Sequence, residues 1–185
     1  MKTLQTILCA TTLFASAAFA DDDAVAVGTA FAKALGRFDI AAMVETLHPE
    51  MIAFFRSMAI HIAKTTEDEA ERSDLFTKFG VDSIQAMETQ APREVARKFL
   101  DMAFGGLTPA VRDAAENSQV KVIGSIPEGD LVHVFYRTNV MVDDLSASVP
   151  SVITLRRHEG KWMVINTTQF EKVKARAIRN GMITR

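Results

Sequence analysis

The stretch LVHVFYRTNVMV, residues 131–142, decides the fold because its hydrophobic side chains alternate with the two-residue period of a β-strand. The even positions place one set of side chains on a single face: Val132, Val134, Tyr136, Thr138, Val140 and Val142. The odd positions give the other face Leu131, His133, Phe135, Arg137, Asn139 and Met141. Apolar residues occur on both faces. The pattern therefore predicts a strand partly covered on each side and leaves open which face lines an interior.

The segments on either side of this strand predict a small antiparallel sheet. Residues 120–126 alternate as a first strand, and residues 127–130 have the composition of a turn. After the long strand, we expect a loop at 143–148 and further strands at 151–158 and 161–167. Glu159-Gly160, between the last two strands, is typical of a tight hairpin. The sheet therefore has about four strands.

Helices are predicted before this sheet and after it. Apolar residues recur at three- and four-residue steps in several segments of residues 27–104, as expected for helices buried on one face. His48-Pro49 separates two of these helices, because proline disfavours helical geometry in the residue before it. Capping boxes are predicted at two helix starts, Thr66 with Glu69 and Thr168 with Glu171. Helices followed by antiparallel strands and a terminal helix indicate an α+β fold.

Residues 1–20 have the three parts of a cleavable secretory signal. Lys2 supplies the positive charge, residues 4–19 are uncharged, and Ala18-Phe19-Ala20 is the small-x-small pattern that signal peptidase recognises. The uncharged stretch is short and interrupted by polar residues, so it is a poor membrane span. We expect cleavage after Ala20 and export, in a bacterium to the periplasm.

The remaining residues, 21–185, are predicted to form one domain because their length is typical of a single hydrophobic core. The chain has one cysteine, Cys9 in the signal, so the exported domain has no disulfide. Apolar burial must stabilise it, and the composition, 48% hydrophobic with twelve Phe and nine Met, is sufficient for that. A formal net charge of −2 argues against a nucleic-acid partner.

Two motifs, together with the order of the elements, resemble the nuclear-transport-factor-2-like (SnoaL-like or cystatin-like) superfamily. They are the hairpin LRRHEGKWMVI at residues 155–165 and the corner Leu47-His48-Pro49-Glu50. The resemblance covers most of residues 24–180. It implies a curved antiparallel sheet wrapped on helices, a conical pocket between them and often a dimer through the outer face of the sheet. The chain is also similar to periplasmic auxiliary proteins that shuttle phospholipids between membranes. Neither likeness implies a reaction.

The leading functional hypothesis is a non-catalytic binding protein with an apolar pocket for a small hydrophobic or lipid-like ligand. It rests on a surplus of Phe and Met residues, whose side chains suit adaptable apolar sites. The candidate ligand-binding residues are Phe54, Phe55, Met58, Phe99, Met102 and Phe104. The alternative for each of them is ordinary packing in the core.

Two other functions remain open. A small enzyme of isomerase or dehydratase type would use His133 or His61 as a base, with Tyr136 or Arg137 polarising a carbonyl group. The strand period places His133 and Arg137 on one face and Tyr136 on the other. The third hypothesis is a dimeric interaction module with no ligand.

The sequence predicts no cofactor and no metal site. The four histidines lack the spacing of a metal motif, and Gly160-Lys161 lacks the rest of a phosphate loop. From Arg156 onward, basic residues outnumber acidic ones. The C-terminal helix is therefore a candidate contact for anionic lipid, and a homodimer through the sheet is a candidate assembly.

Overall fold

A computed structural model describes residues 22–142 and 145–179, so the predicted signal at 1–20 lies outside the described residues. The N-terminal helices are α1 (Asp22–Gly36), α2 (Ile40–Thr46), α3 (Pro49–Thr65), α4 (Glu69–Phe79), α5 (Ile84–Thr89), α6 (Pro92–Gly105) and α7 (Pro109–Glu116). The later elements are β1 (Gln119–Glu128), β2 (Leu131–Val142), β3 (Leu145–His158), β4 (Lys161–Thr167) and α8 (Thr168–Arg179). The predicted α+β fold, with N-terminal helices, four antiparallel strands and a C-terminal helix, is confirmed.

The four strands pair in the order β1-β2-β3-β4, and β2 pairs with β3 from Leu131↔Arg156 to Val142↔Leu145. The even-numbered face of β2 meets the helices, because Val132, Val134 and Tyr136 are 3%, 1% and 1% exposed. We call this the inner face. Helix α1 lies directly on it, since a Cβ atom added to Gly28 would be 3.0 Å from Val134 Cγ2. The odd-numbered residues of β2 therefore form the outer face.

Aromatic rings from distant parts of the chain meet in the core. Phe170 of α8 packs edge-on against Phe31 of α1 and Phe55 of α3, with ring centroids 6.1 and 5.0 Å apart. Phe55 also stacks on Phe99 of α6 at 5.9 Å. These contacts hold α8 against the helices that precede the sheet, and buried aromatic pairs of this kind stabilise a fold beyond their area alone.

The corner between α2 and α3 covers the outer edge of β4. Leu47 forms a parallel bridge with Val164, and the His48 amide donates to the Val164 carbonyl at 2.8 Å. The side chain of His48 then caps α3 by accepting the Glu50 amide hydrogen. The predicted break at His48-Pro49 is confirmed, because Pro49 is the first residue of α3.

In both predicted capping boxes the capping residue is wrong by one or two positions. Asp68 caps α4 by accepting from the Glu71 amide, whereas the Thr66 hydroxyl donates to the Ile62 carbonyl at the end of α3. At α8, Thr167 accepts from the Phe170 amide. In each case a neighbouring side chain with the same capping chemistry is closer to the first free amides.

Two further elements differ from the sequence prediction. Residues 145–148, which we expected in a loop, and residues 149–150 extend β3 toward its start, because β2 is long enough to pair with them. Helix α5 was not predicted, since it is short and its one fully buried side chain is Met87. No helix within the described ranges is long and apolar enough to cross a membrane.

Candidate functional site: two clefts beside the sheet

An apolar cleft of about 270 Å³ lies between α7, the end of α1 and the inner face of β2. We call it the α7 cleft. It is lined by Gly36, Phe38, Ala110, Val111, Ala114, Ala115, Ser118, Thr138 and Val140. Ser118 and Thr138 are the only two of these residues with polar side-chain atoms. The cleft can therefore receive an apolar group and offers it few hydrogen bonds.

Small residues on α7 create this space. The helix begins at Thr108-Pro109, and Ala110, Ala114 and Ala115 then place short side chains in the lining of the cleft. A helix with larger residues at the same positions would close the cleft.

Phe38, one of the residues that line the cleft, has an uncommon backbone conformation. Its φ angle is +52°, in the left-handed region that a bulky residue rarely adopts. Its ring lies 5.4 Å from the ring of Phe104. A residue in this region costs about 1–2 kcal/mol, and such strain is concentrated at functional sites.

Exposed apolar side chains lie in the cleft and next to it. Val111, which lines the cleft on α7, is 46% exposed, and Val149 on β3, outside the lining, is 49% exposed. Val149 of β3 pairs with Thr138 of β2, so it lies on the same inner face. This pair is nearer to the connection between β2 and β3 than to the other end of the two strands. The inner face thus continues beyond the lining of the cleft as an apolar strip that includes Val149.

A second cleft, of about 430 Å³, lies between α3, α8 and the sheet. We call it the α8 cleft. Its lining is mixed: Glu50, Met51, Phe54, Leu131, Thr154, Arg156, Ile165, Asn166, Phe170, Glu171 and Lys174. Arg156 lies 3.2 Å from Glu50 and 3.3 Å from Asp130, and the Asn166 amide donates to Glu171. Most charged groups of this cleft are therefore already paired.

The candidate catalytic residues do not converge on one site. His133 lies on the outer face, where its Nε2 is 2.7 Å from Glu128 Oε2 and its Nδ1 is 3.1 Å from Thr154 Oγ1. Arg137 is exposed on the same face, and His61 is partly buried on α3. None of these three residues lines the α7 or the α8 cleft.

Tyr136 is enclosed in the inner face of the sheet. It is 1% exposed, and burial raises the pKa of its hydroxyl, while hydrogen bonds with Ser151 and Gln169 oppose that rise. Its hydroxyl is thus neutral near pH 7 and already has protein partners. Tyr136 and His133 point to opposite sides of β2, so they do not act on the same carbonyl group.

The six candidate ligand-binding residues divide between the core and the clefts. Phe55, Met58 and Phe99 are 1%, 6% and 7% exposed, and they line neither of the two clefts. Phe54 lines the α8 cleft. Phe104 supports Phe38 at the α7 cleft, and Met102 is partly buried against the core.

Sequence reasoning missed most of the α7 cleft. The signal was a short helix rich in alanine, at positions 110, 114 and 115, next in sequence to a strand whose inner positions Thr138 and Val140 lie beyond the main core. The predicted ligand-binding residues were large and apolar, whereas a cleft is formed where side chains are small. Among the described residues, no group of three or more His, Cys, Asp and Glu could hold a metal ion.

Comparisons with protein-family models, with curated proteins and with solved structures find no match to this chain.

Proposed function

We propose that this protein is an exported, non-catalytic binding protein that holds a small hydrophobic or lipid-like ligand in the α7 cleft. One observation carries the proposal: an open cleft of about 270 Å³ with an almost entirely apolar lining. Water in such a cleft has few hydrogen-bond partners, so its replacement by an apolar group is favourable.

The form of the cleft indicates an aliphatic chain or a small ring system as the bound group. Exposed Val149 extends the apolar surface beyond the cleft, which suits a ligand longer than the cleft itself. Each methylene buried contributes about 0.8 kcal/mol, or roughly a fourfold gain in affinity. Affinity should therefore increase with chain length until the cleft and the strip are covered.

Membership of the nuclear-transport-factor-2-like superfamily is part of this proposal. It is supported by four antiparallel strands packed on helices and by a cleft between helix and inner face. We assign no catalytic step, because the Tyr136 hydroxyl is enclosed by Ser151 and Gln169 and His133 lies on the outer face. A periplasmic location follows from the signal sequence and remains a prediction.

The test is a titration of the purified exported protein with fatty acids of increasing chain length, with displacement of a fluorescent fatty acid as the readout. Ala115→Leu fills the cleft and is expected to weaken binding more than tenfold. Ala70→Leu, at an exposed position of α4, adds the same atoms elsewhere and should leave affinity unchanged. Thermal unfolding checks that both variants fold.

Native mass spectrometry of the protein taken directly from cells gives an independent result. A co-purifying apolar molecule that Ala115→Leu excludes would support the proposal. The proposal would be overturned if no fatty acid of any chain length bound. It would also be overturned if Ala115→Leu and the unaltered protein bound fatty acid equally well.

A further inference from the structure

Three cations of α8 lie in one narrow stripe. Successive helical residues are rotated by about 100°, which places Lys172, Arg176 and Arg179 within an arc of about 60°. All three side chains are exposed. The acidic residue of the helix, Glu171, lies outside this arc and pairs with Asn166. We call these three residues the α8 stripe.

The α8 stripe points directly away from the body of the protein. Phe170 and Ala177, on the opposite side of the helix, are 4% and 1% exposed. The helix is held at its start, where the Phe170 amide donates to Thr167 and the Val152 amide donates to Thr168. Its orientation is therefore fixed by buried contacts, and the cations are displayed on a rigid support.

The stripe carries uncompensated charge on an acidic protein. Several exposed cations on other helices have acidic partners, as in Lys64–Glu88, Lys78–Asp74 and Arg97–Glu94. Within the described residues, no carboxylate pairs with any of the three stripe cations. Because the whole chain has a formal net charge of −2, an anionic surface would attract this face and repel much of the remainder.

We propose that the α8 stripe docks the protein on an anionic phospholipid bilayer. A bilayer surface is flat and continuous, so it can neutralise all three cations at once, and none of the three residues lines the α7 or the α8 cleft. Val173, beside the stripe, is 38% exposed and adds a small apolar contact at the headgroups. Each cation near such a surface strengthens binding about fivefold.

Co-sedimentation with lipid vesicles tests this inference. The exported protein is mixed at low salt with phosphatidylcholine vesicles that either contain or lack one third phosphatidylglycerol. We expect binding only with phosphatidylglycerol and a decline at physiological salt, where the Debye length is about 8 Å. The variant Lys172→Gln/Arg176→Gln/Arg179→Gln should bind roughly a hundredfold more weakly, since three fivefold contributions are lost.

The control removes the same charge from other exposed positions, as Lys33→Gln/Lys121→Gln/Lys161→Gln. It should retain most of the binding. Equal losses in both triple variants would overturn the inference, because net charge alone would then explain the attraction. Binding to pure phosphatidylcholine, or retention on an immobilised acidic polypeptide without vesicle binding, would also overturn it. The assay needs no ligand, so its outcome is independent of the α7 cleft.

Discussion

The Nδ1 atom of His48 lies 3.2 Å from the amide nitrogen of Glu50 and accepts its hydrogen, so this imidazole caps α3 only while Nδ1 is unprotonated. His48 is 6% exposed, and burial lowers its pKa below the usual 6.5. The Glu50 carboxylate opposes this effect, whereas His158 and Arg156 add to it. The ring of His158 packs edge-on against His48 at 5.2 Å.

This cap predicts a loss of stability in mild acid. Because the folded pKa of His48 is lower than the unfolded pKa, the unfolded chain binds the proton more readily. The contribution of His48 is complete above about pH 6.5 and decreases as the pH falls toward the folded pKa. His48→Asn keeps a capping side chain without titration in this range, so its free energy of unfolding in urea should vary less between pH 8 and pH 5. The same pH dependence in both proteins would contradict the assignment.

The close approach of α1 to β2 predicts a coupled pair of substitutions. In Gly28→Ala the new Cβ would lie 3.0 Å from Val134 Cγ2, and overpacking costs about 1–3 kcal/mol. The higher helix propensity of alanine offsets at most about 1 kcal/mol of this cost. We expect a net loss of about 1 kcal/mol in urea unfolding, and Gly28→Ala/Val134→Ala should be less unstable than the sum of its single variants. Additive effects would show that the contact relaxes freely.

The enclosed hydroxyl of Tyr136 predicts a cost for its removal. Tyr136→Phe leaves Ser151 and Gln169 without one of their hydrogen bonds, and such a loss costs about 1–3 kcal/mol. The change should lower the midpoint of urea unfolding and leave the slope of the transition unchanged. Unchanged affinity for fatty acid is expected in the same variant, because Tyr136 does not line the α7 cleft. A loss of affinity without a loss of stability would place this residue in the ligand site instead.

Export with removal of residues 1–20 is tested by the intact mass of the protein recovered from the periplasm of a bacterial host. We expect a chain that begins at Asp21. Ala18→Leu/Ala20→Leu removes the small side chains that the peptidase requires and should leave the full-length chain in the membrane fraction. Recovery of uncleaved protein from the soluble fraction of the unaltered strain would refute the signal assignment.

The alternation in β2 predicted its bounds exactly as observed, but not which face is inner. Both faces hold apolar residues, and the choice is made by α1, where Gly28 allows the helix to approach Val134. That contact joins residues far apart in sequence, so no local pattern encodes it.

Contacts between residues far apart in sequence also explain why most of the candidate ligand-binding residues do not line the two clefts. Phe55 and Phe99 have the character of ligand-binding residues, but Phe170 of α8 packs on Phe55 and completes a core. Small residues on α7 form the open cleft, and the alanines in the sequence show that these side chains are short but not that space is left beside them. Helix starts were predicted more successfully, since a cap depends on adjacent residues, and the errors there were shifts to a neighbouring side chain.

The bridge between Leu47 and Val164 has a consequence for aggregation. An uncovered strand edge can recruit a strand from another molecule, and repeated recruitment produces fibrils. Here the edge of β4 is occupied by Leu47 and His48, whereas the outer edge of β1 has no partner strand among the described residues. If two molecules paired through their β1 strands, the outer β1 edge of each molecule would be covered by the other. Further growth of the sheet at β4 would then require Leu47 and His48 to give up their contacts with Val164.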